Sequence, residues 1–119
     1  MRQAGVIAAA GLIALEKSPA RLHVDQENAK RLAEGIAEIP GLTIDPKKVR
    51  SNIVIFDCTK TGRTAVELCD ALHPYGVWAQ DTALYSVRVV THCDVERAGC
   101  ERAVAVLKEV VTRTKKAGA

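Results

Sequence analysis

Arg88, His92, Cys93 and Asp94 crowd into one short stretch of the chain, and between them they hold the side chains best suited to chemistry. A guanidinium is a rigid fork of N–H donors that matches a planar carboxylate. If Leu84 to Val90 is a strand, its side chains alternate, with Tyr85, Val87 and Val89 on one face and Ser86 and Arg88 on the other. Arg88 then projects opposite the apolar face, either as a solvated or ion-paired strand residue or as an anchor for an anion. His92, Cys93 and Asp94 are of types that ligate metals or pair a nucleophile with a base. Adjacent side chains on extended backbone diverge, no second pair lies at ligand spacing, and Asp94 is placed to cap the next helix. Neither a metal site nor a Cys–His nucleophile is therefore expected, and His92 reads as a packed or structural residue. His23 and His73 read as surface residues. Gly-rich phosphate loops, G-x-S-x-G and H-E-x-x-H are absent from the sequence.

The elements that must position Arg88 follow from periodicity and punctuation. Ala4 to Leu15 is apolar on nearly every side and predicts a buried helix whose partners need not all lie in this chain. Ser18 as cap and Pro19 in the first turn open a second helix with Leu22, Ala29, Leu32, Ala33, Ile36 and Ala37 as its stripe, ending by Pro40 and Gly41. Leu42 to Ile44 predicts a short strand, and the unbroken Ile53-Val54-Ile55-Phe56 a central strand buried on both faces. Thr64 and Glu67 match a capping box ahead of a third helix, which stops at His73, Pro74 and Gly76. Strands at Val77 to Gln80 and Leu84 to Val90, joined by a turn at Asp81 and Thr82, precede a last helix with Ala103, Val104, Leu107, Val110 and Val111 as its buried stripe. The order predicts an α+β fold, helices covering one face of a mostly antiparallel sheet of about four strands.

Composition bounds the rest. The 119 residues suit one domain or part of one, and 48% apolar with 26% charged residues is a globular balance that excludes disordered, collagen-like and multi-span membrane chains. Aromatics make up only 3%, too few for stacking platforms on single-stranded nucleic acid, and the net charge of +3 comes without a basic block. Neither nucleic acid nor membrane is expected as a partner. Arg113, Lys115 and Lys116 fit the negative end of a terminal helix. Cys58, Cys69, Cys93 and Cys100 form no C-x-x-C pair and predict reduced thiols in a cytoplasmic protein. Arg2 and the apolar run imitate a signal peptide, but the run is too short for a membrane span and Glu16 and Lys17 follow at once.

The stretch Met1-Arg2-Gln3-Ala4-Gly5-Val6-Ile7-Ala8-Ala9-Ala10-Gly11-Leu12 resembles the segment after a glycine run in low-specificity L-threonine aldolases, and the resemblance covers nearly all 119 residues. Asn28-Ala29-Lys30-Arg31-Leu32-Ala33-Glu34-Gly35, Asn52-Ile53-Val54-Ile55-Phe56 and Arg88-Val89-Val90-Thr91-His92-Cys93-Asp94-Val95 follow in the same order at similar spacing. The resemblance implies a pyridoxal-phosphate enzyme of the aspartate aminotransferase fold type. Residues 1–17 would be the helix leading from an absent cofactor domain, and residues 18–119 the small C-terminal α+β domain. It further implies that Arg88, the arginine of R-x-V-T-H-x-D-V, binds the α-carboxylate of a β-hydroxy-α-amino acid, and that Arg2, of M-R-Q, reaches the cofactor phosphate across a subunit interface. His92 and Asp94 carry over as positioning and capping residues. Cys93 and Gln26 depart from the usual aliphatic residue and histidine. The Schiff-base lysine, the aspartate facing the pyridine nitrogen and the ring histidines all precede the segment matched by Met1, which would be an internal methionine of a longer ancestor or the start of a truncated product. The expected activity is cleavage of L-threonine or L-allo-threonine to glycine and acetaldehyde in a homo-oligomer, with this chain inactive alone and binding no cofactor. The alternatives are a non-catalytic oligomerising or regulatory remnant and part of a related pyridoxal-phosphate lyase.

Overall fold

Thr64 shows how local chemistry sets the elements. Its hydroxyl accepts from the Glu67 N–H at 3.3 Å while the Glu67 carboxylate accepts from the Thr64 N–H at 2.8 Å, so the predicted capping box opens helix α3, Ala65–Leu72. Those bonds hold the Glu67 carboxyl below its usual range. The structure, a computed structural model, describes residues 1–117, with side chains through Arg113. Ahead of α3 lie helix α1, Ala4–Lys17, a 3₁₀ turn at Pro19–Arg21, helix α2, Leu22–Ala37, and strand β1, Ile53–Asp57. After it come β2, Gln80–Ala83, β3, Ser86–Val90, and the long helix α4, Arg97–Ala117. No helix of the described residues is long and apolar enough to cross a membrane.

The sheet is antiparallel and three-stranded in the order β1-β3-β2, with Ile55 opposite Arg88 and Arg88 opposite Gln80. One face packs on α2 and α3, with α4 against both of those helices, giving the two-layer α+β architecture. Val54, Phe56, Val87 and Val89 meet Ala29, Leu32, Ile36, Leu68, Leu72, Leu107 and Val110 in one buried cluster. Gly35 lets α2 and α4 approach closely, since a Cβ there would stand 2.7 Å from Val104 Cγ2.

Several expectations are corrected. Leu42 to Ile44 contributes only an isolated bridge between Thr43 and Asp57, so three strands stand where about four were expected. β1 is an outer strand, not the central one, and its Ile53 and Ile55 are 41% and 53% exposed because helices cover one face only. The turn falls at Leu84 and Tyr85 rather than at Asp81 and Thr82, which belong to β2. Neither turn residue has a positive φ, and the register shift between Asp81 and Ala83 supplies the twist that a glycine turn would otherwise provide. Ser18 makes no side-chain cap, and Leu22 and Ala37 are exposed.

α1 is the element left without cover in the single chain. None of its residues is buried, and Val6 and Leu15 are 72% and 75% exposed. It packs chiefly against the Pro19–Arg21 turn that follows it, so the apolar helix expected to be buried is uncovered in the single chain. At the other end, Arg113 pairs with Glu109 at 2.5 Å and donates to Tyr75 Oη at 2.9 Å. The side chains of Lys115 and Lys116 lie outside the described residues.

Candidate functional site

β3 is the strand to build from, because it is paired on both sides. Val87 and Val89 point into the core, and Ser86, Arg88 and Val90 point away from the helices, as alternation requires. Arg88 is half-buried on this open face, flanked in register by Ile55 of β1 and Gln80 of β2. Residues directly opposite each other on antiparallel strands share a face. The neighbours of the guanidinium are therefore two exposed isoleucines, Val90 and one amide. Gln80 Oε1 accepts from Arg88 Nη2. Arg88 Nε is sealed from solvent and has no hydrogen-bond partner. The bond to Gln80 holds the guanidinium against the sheet, although leaving Nε buried and unpaired costs stability.

β3 is pinned where it ends. Thr91 is buried, and its hydroxyl donates to the Asp25 carbonyl at 2.7 Å. Its N–H donates to the Asn52 carbonyl at 2.9 Å, while Asn52 Nδ2 donates to the Thr91 carbonyl at 2.7 Å. Asn28 Nδ2 reaches the Val95 carbonyl at 3.3 Å. Thr91, through the main-chain carbonyl of Asp25, and Asn28 thus fasten the strand end to α2, and Asn52 ties it to the start of β1, a function sequence reasoning missed. The signal was present in Asn28, a polar residue on the buried side of an amphipathic helix.

His92, Cys93 and Asp94 form an exposed turn closed by the Val95 N–H on the His92 carbonyl at 2.9 Å. The expected divergence does not occur, because the turn curls the backbone and brings one ligand atom of each within 4.8 Å of the others. His92 Nδ1 accepts the Asp94 N–H at 3.3 Å, and Cys93 Sγ lies 3.7 Å from Asp94 Oδ1. Asp94 does not cap α4, which begins at Arg97. No other metal-type cluster occurs among the described residues. His23 is exposed on α2, and His73 is half-buried at the surface, its ring tilted against the exposed Trp78 at 4.6 Å.

Arg2 is exposed ahead of α1 and makes no hydrogen bond or ion pair with the described residues, so the chain does not bring it together with Arg88. A cavity of about 530 Å³ lies between Trp78 and the start of α4, lined by His92, Glu96, Cys100 and Arg102 among others. Val89, Val90 and Thr91 at the end of β3 contribute to it, and Arg88 does not line it. What the open face offers is one positioned cation among apolar side chains, a chemistry suited to a small carboxylate.

Residues 1–59 match the sequence model of the beta-eliminating lyases. A probable low-specificity L-threonine aldolase 2 of Arabidopsis thaliana is 32% identical over 111 residues, 92% of this chain and 31% of the relative. The low specificity L-threonine aldolase of Escherichia coli strain K12 is 35% identical over 100 residues, 82% of this chain and 27% of the relative. The chain thus spans about a third of the length of the curated relatives it matches. The solved structure of MppP soaked with the product 2-ketoarginine superposes with a TM-score of 0.65 at 21% identity, covering 82% of this chain and 30% of that one, a likeness of fold.

Proposed function

Because this chain belongs to the threonine aldolases of the beta-eliminating lyase family, we propose that it supplies the carboxylate-gripping domain of a pyridoxal-phosphate lyase that cleaves L-threonine or L-allo-threonine to glycine and acetaldehyde. The observation that carries this reading is Arg88, held on the open face of β3 with exposed apolar neighbours. A guanidinium fixed in this way grips the α-carboxylate and sets the orientation of the bond to be broken, which is positioning rather than proton transfer.

Pyridoxal phosphate, when bound, supplies the electron sink for that cleavage. Such a cofactor is anchored by a desolvated lysine. The described residues do not fit it, since Lys17, Lys30, Lys47, Lys48, Lys60 and Lys108 are all exposed. In this reading the anchoring groups belong to a larger partner domain, and Arg2 extends toward the cofactor phosphate across a subunit interface. The chain alone, mixed with pyridoxal phosphate and threonine, releases no acetaldehyde, and addition of a cofactor domain restores release. In the assembled holoenzyme Arg88→Ala lowers kcat/KM by about 2–5 kcal/mol of transition-state binding, as for one partner of a buried charge pair. An unchanged kcat/KM overturns the assignment.

A second reading, favoured by the absence of any buried residue in α1, is a non-catalytic module that self-associates through this helix. It predicts a stable dimer on sizing together with no aldehyde release when a cofactor domain is supplied.

A further inference from the structure

We infer that Gln80 is a positioning residue that fixes the Arg88 guanidinium and leaves only its terminal edge for the substrate carboxylate. The inference rests on Arg88 being the carboxylate anchor and goes further, to how the carboxylate is held. A guanidinium can present two forks, a side edge formed by Nε and Nη2 and a terminal edge formed by Nη1 and Nη2. Arg88 Nε is sealed from solvent, so a carboxylate cannot use the side edge. Nη2 already donates to Gln80 Oε1 across the β2–β3 pair, where Gln80 and Arg88 stand directly opposite each other. Nη1 has no partner among the described residues and is not among the sealed atoms. The inference places Gln80 on the Nη2 proton beside the sealed Nε, which leaves the end-on pair of Nη1 and the second Nη2 proton for a ligand.

The amide is suited to this task because it is neutral. Its carbonyl accepts one guanidinium proton and orients the plane without neutralising the charge that the substrate must meet. A carboxylate at position 80 would orient the plane equally well while competing with the substrate for the same cation. Gln80 is exposed on the outer strand β2, so its replacement leaves the core untouched.

The test is steady-state kinetics of the assembled holoenzyme carrying Gln80→Leu, Gln80→Glu or Arg88→Lys, with threonine as substrate. Gln80→Leu is expected to raise KM roughly three- to tenfold, the size of one lost hydrogen bond, with kcat within about twofold. Gln80→Glu is expected to raise KM more than Gln80→Leu, although glutamate is the closer isostere and can still accept. A residue that merely braced the strand would give the reverse order. Wild-type KM in both Gln80 variants, or a milder effect of Glu than of Leu, overturns the inference while Arg88→Lys still raises KM. A wild-type KM in Arg88→Lys instead overturns the carboxylate-anchor reading itself.

Discussion

Gly35 of α2 and Val104 of α4 stand so close that a methyl group added at Gly35 would lie 2.7 Å from Val104 Cγ2 and 2.9 Å from Cγ1. Two effects of Gly35→Ala oppose each other. Helix propensity gains about 1 kcal/mol, and overpacking against a stiff β-branched neighbour costs about 1–3 kcal/mol. The clash wins, so Gly35→Ala lowers stability by up to about 2 kcal/mol, read from urea unfolding midpoints. In a Val104→Ala background the same substitution becomes stabilising, a coupling that a double-mutant cycle measures. A stabilising Gly35→Ala in the unaltered chain would refute the close packing of α2 on α4.

The uncovered α1 yields a prediction that separates folding from assembly. Ile7 and Leu12 are 66% and 62% exposed, so Ile7→Glu or Leu12→Glu changes the stability of the single chain by less than about 0.5 kcal/mol. The same substitutions abolish association, whether with a second copy or with a cofactor domain, because a charge cannot enter an apolar seat unpaired. Sizing and thermal unfolding on the same samples test both halves. A large loss of stability would mean that α1 packs on its own domain.

Thiol chemistry reads out the core. Cys58, Cys69 and Cys100 are buried and Cys93 is exposed. Burial, reinforced by Asp81 and Asp70, pushes the Cys69 thiol up to about 11, and burial raises Cys58 and Cys100 as well. Iodoacetamide at pH 8 is therefore expected to place one adduct, on Cys93, in the folded chain and four after denaturation, counted by mass spectrometry. Since the buried thiols keep their protons in the folded state and lose them more readily when unfolded, their contribution to stability is full below about pH 8.5 and declines above it. Labelling of Cys69 as fast as Cys93 under native conditions would contradict this core.

What the sequence revealed and what it concealed divide along physical lines. The Thr64–Glu67 box, the stop at Gly76 and the outward aim of Arg88 are set by near neighbours, and all three are legible from spacing. The Leu84–Tyr85 turn has no glycine or asparagine to announce it, because the shift between Asp81 and Ala83 does that work within β2. That displacement also hid Gln80, which pairs with Arg88 only once the hairpin register is known. Ile53, Ile55 and the apolar residues of α1 misled for a shared reason. An apolar side chain registers as interior in a sequence whether its cover is supplied by the same chain or by another molecule.

Thr91 turns a strand end into a fixed joint. It ties the strip of sheet bearing the guanidinium to the first half of α2, and α2 follows α1 after a single short turn. One helix and one short turn are thus all that separates the uncovered α1 from the strand that bears the arginine.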